Sequence, residues 1–62
     1  MTILKKIRVG NRWFIEGYCD STETKPTQNT ADGSTMTETD TGKVFMFNEH
    51  SNQWVEQFSL QG

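Results

Sequence analysis

Thr39-Asp40-Thr41-Gly42-Lys43-Val44-Phe45-Met46-Phe47, with Trp54 further on, reads as a β-hairpin turn that runs into an aromatic strand. Threonine and aromatic side chains suit a pleated, half-buried surface. Gly42 stands where a bulged hairpin turn needs positive φ. With Asp40-Thr41-Gly42 as a three-residue loop, Thr37 faces Phe45, Thr35 faces Phe47, and Met36 faces Met46. The polar turn Glu49-His50-Ser51-Asn52 then leads into a last strand, from Gln53 to about Leu60. A one-residue choice of register decides whether Trp54 or Val55 faces the core, and the sequence leaves that choice open.

Upstream, Ile3, Ile7 and Val9 share one face of a first strand, and Gly10-Asn11 forms a two-residue turn into Arg12–Cys19. Setting Val9 against Arg12 pairs Ile7 with Phe14, Lys5 with Glu16 and Ile3 with Tyr18; on the other face Arg8 meets Trp13 and Lys6 meets Ile15. Each pair is chemically sensible, which supports the register. Residues 20–33 contain no large apolar side chain and end in the turn signal Asp32-Gly33, so they read as an exposed polar excursion between two hairpins. No segment has the three- and four-residue apolar spacing of a helix. The expected fold is all-β: one small domain over residues 1–62, an antiparallel meander of about five strands, bent or closed into a small barrel.

A chain of 62 residues with 32% hydrophobic residues has little with which to build a core. Chains this short bury only about 60% of the surface exposed when unfolded. Seven aromatic residues can supply the bulk; assembly or a metal staple are the other routes to stability. A single cysteine, Cys19, excludes an internal disulfide framework, and no apolar run approaches the length of a membrane span. The net charge of −2 hides a polarity. Lys5, Lys6, Arg8 and Arg12 lie in the first twelve positions, while the remainder sets Lys25 and Lys43 against eight carboxylates.

Catalytic patterns are missing. Cys19, Asp20 and His50 are zinc-binding residue types, but they lack paired Cys-X-X-Cys or His-X-X-His spacing, so no cofactor is expected and zinc is kept as the alternative. Cys19 and His50 lack the glycine-flanked turn of an activated nucleophile, and Glu38 and Asp40 flank a turn where water should solvate them. Asp40 is expected to cap its own turn. Basic residues interleaved with Trp13 and Phe14 suit single-stranded nucleic acid, but a sequence pI near 5.1 argues against a dedicated binder. Neither enzymatic activity nor nucleic-acid binding is expected. Partner contacts are assigned to Arg8, Arg12 and Trp13 on the first hairpin, and to Glu38, Asp40 and Lys43 at the tip of the second.

Gly33 to Asn48, followed by Trp54-Val55, resembles a hairpin that recurs in small proteins of tailed bacteriophages: an acidic-Thr-Asp-Thr-Gly-Lys turn, an aromatic-X-aromatic strand, an Asn/Asp turn, and a Trp opening the next strand. The resemblance covers about a third of the chain and supplies no catalytic residue. It implies a non-enzymatic protein-binding module, foremost a minor virion component of the head, connector or fibre. The alternative is a soluble inhibitor of a bacterial defence nuclease, of the anti-CRISPR type. The implied location is the virion or the host cytoplasm. The implied partners are phage structural subunits, further copies of the chain, or a host nuclease.

Overall fold

The computed structural model describes residues 1–60. Its five strands are β1 (Thr2–Val9), β2 (Arg12–Cys19), β3 (Thr35–Glu38), β4 (Lys43–Asn48) and β5 (Gln53–Ser59). They form a single sheet in the order β1-β2-β3-β4-β5. The fold is all-β, as the turn and strand signals require. The sheet is open, not a barrel, and it is mixed rather than a pure antiparallel meander: β2 and β3 run parallel, with Glu16 opposite Thr35 and Cys19 opposite Glu38.

That parallel pair explains residues 20–34. Antiparallel neighbours can be joined by two residues, whereas parallel strands need a connection of roughly a dozen or more. The chain leaves the end of β2 and travels back to the level of Trp13, where Thr30 bridges it. Only then does it start β3. Eight of residues 20–33 are exposed, as the composition suggests, but the segment is also anchored at particular points. Thr30 and Ala31 are buried, and Lys25 and Pro26 are half-buried. Residues 25–28 lie over one face of the sheet as a second layer, Lys25 against Phe45 and Pro26 against Trp54, while 29–34 run in the plane of the sheet between β2 and β4 as an irregular lead-in to β3.

A polar loop can serve as a cover because the sheet satisfies its backbone. Trp13 N–H donates to the Asn29 carbonyl and the Trp13 carbonyl accepts from Ala31 N–H. The Trp54 indole N–H donates to the Pro26 carbonyl at 2.9 Å, and the Arg12 guanidinium to the Thr30 carbonyl at 3.1 Å. Ser34, fully buried, stitches the gap before β3: its hydroxyl donates to the Ala31 carbonyl and accepts from Ile15 N–H. Among the described residues no buried side-chain nitrogen or oxygen lacks a partner, as a stable interior demands.

Under this cover lie Ile15, Cys19 and Met36, flanked by Trp13 and Trp54. Phe47, 1% exposed, meets Trp54 edge-to-face with ring centroids 5.2 Å apart. Trp54 pairs with Phe47 and Val55 with Met46, which settles the last strand's register: the indole faces inward and Val55 outward.

Three other register details depart from expectation. The first hairpin pairs as read from Val9–Arg12 to Lys5–Glu16, but a bulge at Leu4 then sets Ile3 opposite Gly17 in place of Tyr18. In the second hairpin Thr35 faces Met46, Met36 faces Phe45 and Thr37 faces Val44, one residue away from the expected pairing. The cause is the turn. Gly42 does take positive φ (75°), but its N–H closes on the Glu38 carbonyl, so the loop holds four residues, 39–42. Finally, β5 bulges at Gln57, so that Glu56 faces Phe45 while Phe58 faces Val44.

Candidate interaction surface

Side chains alternate across a strand, so the covered face takes Trp13, Ile15, Cys19, Met36, Glu38, Phe45, Phe47 and Trp54. The opposite face has no second layer. Two rows cross it in the observed register. One runs Glu16, Thr35, Met46, Val55; the other runs Tyr18, Thr37, Val44, Phe58. Ile7 and Phe14 pair beside them. Ile7, Tyr18, Met46, Val55 and Phe58 are between 40% and 54% exposed. A groove of about 270 Å³ opens beside Met46 and Val55, with Asp32, Asn48 and Gln57 on its walls.

The β5 bulge is what brings Phe58 to this surface. Trp54 and Glu56 point to the covered face, and an unbroken alternation would send Phe58 there too. Bulges re-aim side chains in this way. The charges on the open face nearly balance: Lys5 sits directly opposite Glu16, and Arg12 is engaged by Thr30 and, at 3.4 Å, by Glu49.

The six residues assigned to partner contacts fall at opposite ends of the sheet. Arg8, Arg12 and Trp13 lie beside the β1–β2 turn. Arg8 and Lys6 both sit over the Trp13 ring, at 5.1 and 4.7 Å from its centroid, so this indole already carries two cations. Glu38, Asp40 and Lys43 lie at the β3–β4 turn. Lys43 is exposed, 3.8 Å from Glu56.

Glu38 and Asp40 are tied into the fold rather than free at a tip. The Glu38 carboxylate is buried, accepting from Lys25 at 2.6 Å and from Thr41 at 2.7 Å. Lys25 also lies 4.1 Å from the Phe45 ring centroid. Asp40 mainly clamps the neighbouring loop, accepting from the backbone N–H and the hydroxyl of Ser21.

These bonds set the acid behaviour. The Lys25 and Thr41 hydrogen bonds hold the Glu38 carboxyl below the usual carboxylate range. Glu23 and Asp40 are lowered too, chiefly by the N-terminal amine and by Ser21 respectively. A carboxyl depressed by folding stabilises the native state above its unfolded pKa, and that stability is lost as pH falls through the lowered value. Glu38→Gln should cost about 2–3 kcal/mol at neutral pH. It should also flatten the acid limb of a urea-midpoint titration, leaving the residual slope of Glu23 and Asp40. A mutant acid limb as steep as the wild type's would refute the assignment.

Cys19 and His50 do not meet. Cys19 is buried beside Glu38 at one end of the sheet, and burial raises its thiol pKa. His50 is in the exposed β4–β5 turn at the other end, the length of β4 away, roughly 16–20 Å at strand rise. No cluster of three or more His, Cys, Asp or Glu residues occurs among the described residues. Among the described residues no helix is long and apolar enough to cross a membrane. Beside Trp13 a second hollow, about 190 Å³, is lined by Ile3, Lys6, Ile15 and Pro26.

No protein-family model matches this chain, and neither a curated protein nor a solved structure matches it.

The open face was the surface that sequence reasoning missed, although a signal for it was present. Sheets solvated on one side alternate apolar with polar residues, whereas strands covered on both sides read as continuous apolar runs. Trp13-Phe14-Ile15 and Val44-Phe45-Met46-Phe47 are continuous runs.

Proposed function

We propose that the chain is a non-enzymatic protein-binding module that works through the uncovered sheet face. One observation carries this reading: apolar side chains extend over that face from Ile7 on β1 to Phe58 on β5, with no layer above them. Exposed apolar patches of this extent on small proteins mark interaction sites. The resemblance of the Gly33–Asn48 hairpin to those of tailed bacteriophages supports the finer reading, a minor virion component of the head, connector or fibre.

The test is mass spectrometry of purified particles after lysis of a host carrying the chain's own phage. The reading expects the chain at a fixed stoichiometry, with cross-links from Lys5 or Lys43 to a structural subunit. Absence from particles, with restored plaquing on a nuclease-defended host when the protein is expressed, would overturn the virion role. That outcome would place the chain among inhibitors of defence enzymes.

A further inference from the structure

We infer that the open face is covered by a second copy of this chain, the two sheets packing face to face as an isologous two-fold sandwich. This inference rests on the protein-binding reading and names its first partner.

The core makes the case for a missing layer. In the single chain, among the described residues, only Ile15, Cys19, Ala31, Met36 and Phe47 are buried hydrophobic residues. Domains of this size rarely hold together on so little without a staple or assembly. A sheet with apolar residues on both sides needs a layer on each. The polar stretch around residues 25–28 supplies one, and no other described segment supplies the second.

Area and charge favour a copy of the same chain. Five strands of four to eight residues, spaced about 4.8 Å apart, give the sheet a face of roughly 500–600 Å². That lies at the low end of what each partner contributes to a stable interface. A two-fold contact sets a surface against itself, so a face of one charge sign would repel its own copy. This face carries Lys5 against Glu16 and an Arg12 already neutralised by Glu49.

Shape points the same way. Thr35 and Thr37 form a low band through the middle of the sheet, between Phe14 and Tyr18 on one side and Met46, Val55 and Phe58 on the other. Turning one copy about a two-fold axis along that band sets the β1–β2 flank of each over the β4–β5 flank of the other, with Tyr18 at the level of Val44 and Glu16 at the level of Met46. Sheet faces pack about 10 Å apart in this manner.

The experiment is sedimentation equilibrium of the full chain from about 1 to 100 μM, alongside isotope-filtered NMR of mixed labelled and unlabelled protein. The expected mass is twice 7.1 kDa, with intermolecular contacts from Val44 methyls to Tyr18 rings. Met46→Glu and Val55→Glu should each raise the dimer dissociation constant by roughly 100-fold or more, because each places an unpaired charge in an apolar contact. Ser51→Glu, in the β4–β5 turn, should leave it unchanged. A 7.1-kDa wild type at 100 μM overturns the inference, as does a dimer whose intermolecular contacts run along the β1 or β5 edges. The filtered contacts are read on wild-type protein, so an unfolded variant cannot obscure the result. A wild type that is monomeric yet recovered in particles would overturn the dimer alone and leave the binding module standing.

Discussion

Phe47→Ala should leave most of the protein unfolded at room temperature. Phe47 is 1% exposed, on β4 beneath the cover, with its ring against Trp54. Phe-to-Ala changes in cores cost about 3–5 kcal/mol, through lost transfer energy and the cavity left behind. A chain of 62 residues, at typical stability per residue, has only about 3–9 kcal/mol in all. The loss also spreads, because Trp54 is held on one side by that ring and on the other by its bond to the Pro26 carbonyl. Once the ring is gone, the indole can shift, and the cover loses one of its attachments. Urea denaturation followed by Trp fluorescence provides the measurement. Phe47→Leu, which keeps most of the volume, should cost only about 1–2 kcal/mol. An alanine variant with a wild-type midpoint would show that the core lies elsewhere.

How far the sequence discloses this architecture depends on the range of the interaction concerned. Gly10-Asn11 and Gly42 are local signals: the first turn forms as predicted, and Gly42 takes its predicted positive φ in a loop one residue longer than expected. Cross-strand chemistry fixed the first hairpin from Val9 to Lys5, since each pair there is complementary. The bulge at Leu4 has no local signature; it follows from the fit of β1 over Gly17. The second hairpin slipped by one residue because Gly42 N–H closes on the Glu38 carbonyl and lengthens the loop to four residues; the Lys25 partner of the inward-facing Glu38 side chain lies thirteen positions away, beyond any local rule. The orientation of β3 was legible in loop length: residues 20–34 are too many for a hairpin link and enough for a parallel return. Their polarity concealed this. A cover held by backbone carbonyls and one lysine carries no hydrophobic pattern. Similarly, charge drew attention to Glu38 and Asp40, which turn out to be fold anchors. The apolar face across β2, β4 and β5 becomes visible only once register shows which residues share a side.

Gly17 gives the other large effect, and here two opposing terms must be weighed. In a strand, Gly→Ala ordinarily stabilises by about 0.4–1 kcal/mol, because the unfolded chain loses freedom. The backbone at Gly17 is not in the left-handed region, so that gain should be available. Space decides against it. A Cβ at Gly17 would land on the Thr2 carbonyl oxygen and lie 3.1 Å from the Ile3 Cα. Both are backbone atoms of the adjoining strand, with no side chain free to swing away. The start of β1 must therefore peel off, giving up the Thr2–Tyr18 and Ile3–Gly17 pairing and the contact between the N-terminal amine and Glu23. Overpacking of this kind costs about 1–3 kcal/mol or more, so the net effect of Gly17→Ala should be a loss of about 2 kcal/mol, and Gly17→Val should lose more. Hydrogen exchange localises the damage: protection should fall at Ile3 and Tyr18 and persist across β3 and β4. Lys5 to Val9 lie beyond the bulge and can keep their pairing with β2. Ile7 then stays on the open face, and self-association should weaken less than stability does. A Gly17→Ala protein as stable as the wild type would mean that β1 does not cross Gly17 so closely, and Ile3 would lose its place on the covered side.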